Sequence, residues 1–211
     1  MLDPGAEGWN GMHGLFNRAL QCFLRDTYGD RVWQSVRKLS ALKIEEFEPM
    51  LVYDDVLTWR VLASASRLLD KPQEILLEDL GTYLVSHPTM GRVRRLLRFG
   101  GDSYVDFLHS LDDLRDRVLL AMPELEFPVL CLTQDGDGHY ALCCEQLPYR
   151  LYHVALGMLR AMADDYGALV YLECSAPAPG VARSNDCAIT IRLLSAQFTA
   201  GRSFDLSALQ S

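Results

Sequence analysis

The period of the apolar residues changes near Pro123, and this change constrains the fold more than any other feature of the chain. Before it, apolar residues recur at helical spacing; after it, short runs alternate. Leu15, Ala19, Phe23 and Leu24 predict a first helix between Gly14 and Tyr28, closed by Gly29. Asp30 is expected to cap a short helix with Val32, Trp33 and Val36. Asp54 and Asp55 open a third helix carrying Leu57, Val61, Leu62, Ala65 and Leu68. Pro72 starts a fourth, with Ile75, Leu76, Leu80 and Leu84 buried, ending near His87 and Pro88. Gly91 to Phe99 reads as a short Arg-rich helix that Gly100 and Gly101 break. Asp102 or Ser103 then caps a long helix reaching Ala121.

Beyond Pro123, Val129 to Thr133 and His139 to Cys144 flank an Asp-Gly-Asp-Gly turn, a hairpin signal. Tyr149 to Tyr166 reads as a helix, with Leu151, Val154, Ala155, Met158, Leu159 and Met162 on one face. Two more strands, Leu169 to Cys174 and Cys187 to Leu194, flank a Pro-rich loop. The expected class is α+β. A helical subdomain of about 12–122 precedes an antiparallel lobe of about 123–195, with tails at 1–11 and 200–211.

With 20 basic and 28 acidic residues, a net of −8, the chain lacks the cation surplus that sequence-independent nucleic-acid binding needs. No apolar run is long enough to span a bilayer, and the first residues carry no secretory signal. The six scattered cysteines are expected to be reduced thiols, and the location cytoplasmic.

The helix from Asp102 to Ala121 poses the sharpest question. Tyr104, Leu108, Leu111, Arg115, Val118 and Met122 are spaced 4, 3, 4, 3, 4, which predicts one core-facing stripe containing an arginine. A buried guanidinium needs a partner. Arg115 therefore snorkels past the stripe, pairs with a buried carboxylate, or binds an anionic ligand group.

Several stretches resemble the heme-nitric oxide/oxygen binding (H-NOX) domains, the family that includes the sensor domain of soluble guanylate cyclase. They are Met12 to Gln21 (MHGLFNRALQ), Asp26 to Gly29 with Val32 and Trp33, Tyr53 to Asp55, Ala63 to Ser66 and Gln73 to Leu76. Phe107 to Asp116 (FLHSLDDLRD) resembles the family's signature ligand helix, and Pro123 and Pro128 its proline-bearing sequel. The resemblance spans about residues 12–195 and implies one H-NOX-like domain. That fold has a helical N-terminal subdomain, a C-terminal helix on a four-stranded antiparallel sheet, and a ligand cavity between them. It also implies a sensor without catalysis, and cofactor-facing positions at Arg115, Leu111, His13, His109 and Phe16.

Two departures bear on the heme that the resemblance implies. Where the family has an iron-binding histidine, after Leu114, this chain has Arg115, a permanent cation without a lone pair to donate. The family's Tyr-x-Ser-x-Arg propionate clamp falls on Cys144 to Arg150 (CEQLPYR), where none of its three residues agrees; Arg150 lies next to the expected position. The expectation is an H-NOX-like regulator with a degenerate heme site. The alternatives are a nitric oxide sensor using a non-standard heme ligand, or a ligand-free interaction module. No output domain is recognised, so the signal is expected to pass to a separate protein such as a diguanylate cyclase or a histidine kinase. The cavity is expected to hold heme in an unusual way, a small apolar or anionic ligand, or nothing.

Other groups keep two readings each. His109 with Asp112 and Asp113 is a metal site or a solvated face. His13 is a cap or a ligand-facing group, and His153 a packed or a functional one. Arg92, Arg94, Arg95 and Arg98 form a docking patch or a solvated helix face. Cys174 and Cys187 are placed to meet across strands, and with Cys143 or Cys144 to form a thiolate zinc site or a redox pair.

Overall fold

The computed structural model describes residues 11–145, 147, 149–175 and 188–202. The chain divides between Leu80 and Gly81 into two compact units. In the first, a two-stranded ladder pairs β1 (Met12–His13) with β2 (Val52–Tyr53). Around it lie α1 (Gly14–Tyr28), α2 (Asp30–Leu39), α3 (Asp55–Leu69) and the start of α4 (Gln73–Ser86). The helix termini follow the capping residues. Asp54 accepts from the Val56 N–H to start α3, as its position predicts. Gly29 caps α2, so Asp30 stands in the first turn, where a carboxylate favours the helix dipole.

The apolar faces bury Leu20, Phe23 and Leu24 of α1, Trp33 and Val36 of α2, and Val61, Leu62 and Ala65 of α3. A buried polar layer lies beside them. Thr58 Oγ1 donates to Asn17 Oδ1 at 2.6 Å, and Gln21 Oε1 accepts the Phe47 N–H at 3.0 Å. Ile75, expected inside, is exposed, while Leu76, Leu77 and Leu80 form the buried face of α4 in this unit.

The second unit contains the rest of α4, α5 (Gly91–Arg98), α6 (Tyr104–His109), α7 (Leu114–Ala121), α8 (Tyr152–Tyr166) and a four-stranded antiparallel sheet. The strands are β3 (Val129–Gln134), β4 (His139–Glu145), β5 (Leu169–Ser175) and β6 (Ala188–Ser195), in the order β3-β4-β6-β5. Tyr140 and Leu142 of β4 and Ile189 and Ile191 of β6 point to one buried face, as alternation requires. Among the described residues, no helix is long and apolar enough to cross a membrane.

Gly81 fixes how α4 meets α8. A Cβ there would collide with the carbonyl of Val154, so only glycine permits this approach. Polar contacts then tie three helices together. Tyr104 Oη donates to the Leu159 carbonyl of α8, and burial pushes that phenol far above its usual range. Asp165 of α8, 2% exposed, lies 2.7 Å from Arg94 of α5 and 3.6 Å from Arg98. The Arg98 guanidinium also stacks 3.9 Å over the Tyr166 ring.

Thus two of the four clustered arginines hold α5 to α8. Breaking a buried ion pair from one side leaves the other charge stranded. Asp165→Asn is expected to lower stability by about 3–5 kcal/mol, whereas Arg92→Ala, at an exposed position, should change it by less than about 0.5 kcal/mol. Urea unfolding midpoints of the two variants check both.

Candidate functional site

The segment that carries Arg115 is not one helix. Of the two expected caps, Asp102 and Ser103, it is Ser103 that caps α6, in a reciprocal box with Asp106. After His109 the backbone tightens: the Leu111 N–H bonds Leu108 and the Leu114 N–H bonds Leu111, each three residues back. Such a turn advances about 120° per residue, against about 100° in an α-helix. Leu114 therefore returns to the azimuth of Leu111, and Arg115 swings away from it. The buried stripe is Tyr104, Leu108, Leu111, Leu114 and Val118, none above 4% exposed. Arg115 is exposed and Met122 half-buried. The expected stripe through Arg115 is corrected: leucine, not arginine, occupies that core position, and Arg115 stands at the surface.

Two side chains hold this turn. Asp112 Oδ1 accepts the Leu132 N–H of β3 at 2.8 Å. Arg117 donates through Nη2 to the Ser110 carbonyl and through Nη1, at 3.2 Å, to the Leu96 carbonyl. Its partial burial lowers the Arg117 pKa from the ordinary guanidinium value. At the other end of α6, Gly101 adopts a φ of +144°, and a Cβ there would collide with Asp106. The Tyr166 hydroxyl donates to the Gly101 carbonyl at 2.9 Å.

The remaining candidates are distributed between the units. His13 and Phe16 belong to the first unit, and both are half-buried. His13 Nδ1 accepts the Leu15 N–H at 3.2 Å, so the residue acts as the N-cap of α1. In its neutral form the proton then sits on Nε2, and neither nitrogen offers a lone pair unless the cap is released. Leu111, His109 and Arg115 belong to the second unit. Leu111 is buried, while His109 is exposed and set edge-on to Tyr140, with ring centroids 6.0 Å apart. Asp112 is engaged with β3. Among the described residues, no group of three or more His, Cys, Asp or Glu side chains is arranged to hold a metal ion. His153 is half-buried on α8.

Strand alternation puts Cys143 and Cys144 on opposite faces of β4, and Cys174 stands opposite Ile189 of β6. Cys187 lies outside the described residues, as do Gln146 and Pro148 of the clamp stretch. Arg150 is exposed. Sequence reasoning missed Asp165 and gave Asp112 only as part of a metal site or solvated face; these two carboxylates hold this unit's helices to each other and to the sheet.

A family model described as Haem-NO-binding matches residues 13–174. The chain thus belongs to the haem-NO-binding family. It is 22% identical over 154 residues to the soluble guanylate cyclase gcy-31 of Caenorhabditis elegans, covering 73% of this chain and 22% of that protein. To the soluble guanylate cyclase 89Db of Drosophila melanogaster it is 23% identical over 128 residues, covering 60% and 19%. The chain therefore spans about a fifth of the length of the cyclases it matches.

A mutant H-NOX protein from S. oneidensis in the Fe(II) ligation state superimposes with a TM-score of 0.73. The identity is 17%, covering 88% of this chain and 98% of that one. The unliganded Fe(II) H-NOX protein from K. algicida superimposes with a TM-score of 0.69 at 14% identity, covering 92% and 100%. These likenesses establish the fold.

Removing the Asp112 carboxylate in Asp112→Ala should cost about 1 kcal/mol, the net worth of one hydrogen bond, and speed amide exchange at Leu132. Asp112→Asn, which keeps an acceptor oxygen, should retain most of the protection. At the cap, hydrogen bonds from Ser103 hold the Asp106 carboxyl below its usual range. Its contribution is present above the ordinary carboxylate range and is lost as pH falls through the lowered value. Ser103→Ala should move the Asp106 titration, followed by carboxyl NMR shifts, upward toward that ordinary range.

Proposed function

We propose that the chain is a non-catalytic, cytoplasmic regulatory domain of the haem-NO-binding family whose heme site is degenerate, so that it does not hold heme, and that it passes its signal to a separate protein. The observation that carries this reading is Arg115, which follows Leu114 where the family's resemblance calls for an iron-binding histidine. It is exposed, and its guanidinium stays protonated with no lone pair for a metal. The helical break supports the same reading, because it turns Leu114 toward the core and the following side chain outward.

The residues present therefore do not suit heme ligation of the family's kind. His109 is exposed beside Tyr140, and His13 is committed as a cap. The relatives named as soluble guanylate cyclases support a regulatory role; the separate output protein, of which a diguanylate cyclase or a histidine kinase is the proposed kind, is part of the proposal. Arg94 and Arg98 already serve Asp165, so the arginine cluster is not the proposed docking surface.

Absorbance of protein purified after heme-supplemented expression tests the proposal. The expected spectrum has no stoichiometric Soret band. A stoichiometric band that shifts with nitric oxide and disappears in His109→Ala or His13→Ala would overturn it and identify the non-standard ligand.

A further inference from the structure

We propose that Cys131 and Cys143 form a reversible disulfide site, a dithiol across β3 and β4 that hydrogen peroxide closes. The proposal goes beyond the regulatory reading and does not depend on heme occupancy.

The register carries the argument. Cys131 and Cys143 are direct partners in the β3–β4 ladder. Their neighbours Leu142 and Cys144 are buried, 2% and 0% exposed, so alternation sends both thiols to the other face. On that face Cys131 is exposed and Cys143 half-exposed. The register positions flanking the pair in the ladder are Val129 with Glu145 on one side and Thr133 with Ala141 on the other, with Ala188 of β6 beyond Cys143. Leu132, by contrast, turns its N–H away from β4 to Asp112, while the Asp135 N–H bonds the His139 carbonyl inside the hairpin. Cys131 and Cys143 are therefore a hydrogen-bonded pair of the ladder.

Such pairs have Cα atoms about 5.5 Å apart, within the range of about 4.4–6.8 Å that a disulfide spans. Their Cβ atoms, at the wide end of about 4.5–5.5 Å, must draw closer for the bond to form. Among the described residues β3 is an edge strand with one ladder neighbour, so it is the strand free to yield. A bond closed against this resistance is more readily reduced, which suits a reversible modification.

The chemistry balances with hydrogen peroxide as oxidant. The exposed Cys131 thiolate attacks one peroxide oxygen. The O–O bond breaks, Cys131 becomes a sulfenic acid, and the departing hydroxide leaves as water after taking up a proton. The Cys143 thiolate then attacks the Cys131 sulfur. The S–S bond forms, the S–O bond breaks, and the hydroxide again leaves as water. The two thiols lose two hydrogens and two electrons, and the peroxide is reduced to two waters. A dithiol reductant reverses the outcome.

The bond would also act on the neighbouring segment. Cys131 precedes Leu132, whose N–H anchors Asp112 in the turn before α7. Drawing β3 toward β4 pulls on that hydrogen bond.

The test treats the reduced full chain with a small excess of hydrogen peroxide, alkylates the remaining thiols and maps peptides without reduction. The expected product is one linked peptide joining Cys131 to Cys143, lost on dithiothreitol treatment, with faster amide exchange at Leu132 in the oxidised form. Cys143→Ser should leave a sulfenic acid on Cys131 that dimedone traps. The proposal is overturned if peroxide leaves both thiols open to alkylation, or if the disulfide found joins other cysteines. The wild-type map decides the matter even where a variant folds poorly.

Discussion

A change of hydrogen-bond step between Leu108 and Leu114 is the constraint on which the site depends. Two bonds reach back three residues instead of four, and the chain gains roughly 20° per residue across them. That small excess decides which side chain enters the core. With an unbroken helix, Arg115 would lie on the stripe with Leu111, and a desolvated cation would need compensation of several kcal/mol. With the tightened turn, Leu114 takes the position and the cation reaches water.

The turn survives because its polar groups are satisfied from outside it. Asp112 caps an edge amide of β3, and Arg117 binds the carbonyls of Ser110 and Leu96. An edge strand and an opened helix each expose backbone groups; Asp112 serves the strand amide and Arg117 the helical carbonyls. Asp165 does similar work between α5 and α8. Its two arginine neighbours convert a cationic helix face into a packed one. Carboxylates thus hold this unit together where apolar contact alone would leave α5 and the turn weakly fixed.

Much of this was legible in the residues. Gly29, Asp54, Pro72 and Ser103 mark helix ends, and the Asp-Gly-Asp-Gly turn marks the β3–β4 hairpin. The break after His109 was not, because Ser110 to Asp113 contains neither glycine nor proline, and its cause lies in Leu132 and Leu96, distant in sequence. Asp165 did leave a trace. It continues the spacing of Met158 and Met162, so a carboxylate on an apolar stripe called for a cation. The opposition of Cys131 and Cys143 was not legible, because the hairpin is centred on Asp137, half a residue beyond the middle of the Asp-Gly-Asp-Gly turn, and a half-residue shift of the centre changes every partner. The resemblance to H-NOX domains supplied the family and the fold, whereas the placement of Arg115 required the tertiary structure.

The account rests on a cation outside the core and on an α7 that offers iron no ligand. A crystal structure of the chain grown with excess hemin tests this most directly. The account predicts Leu114 packed inside, the Arg115 guanidinium in solvent, and no iron coordinated by any residue from Tyr104 to Ala121. An iron porphyrin tethered from that segment would contradict it.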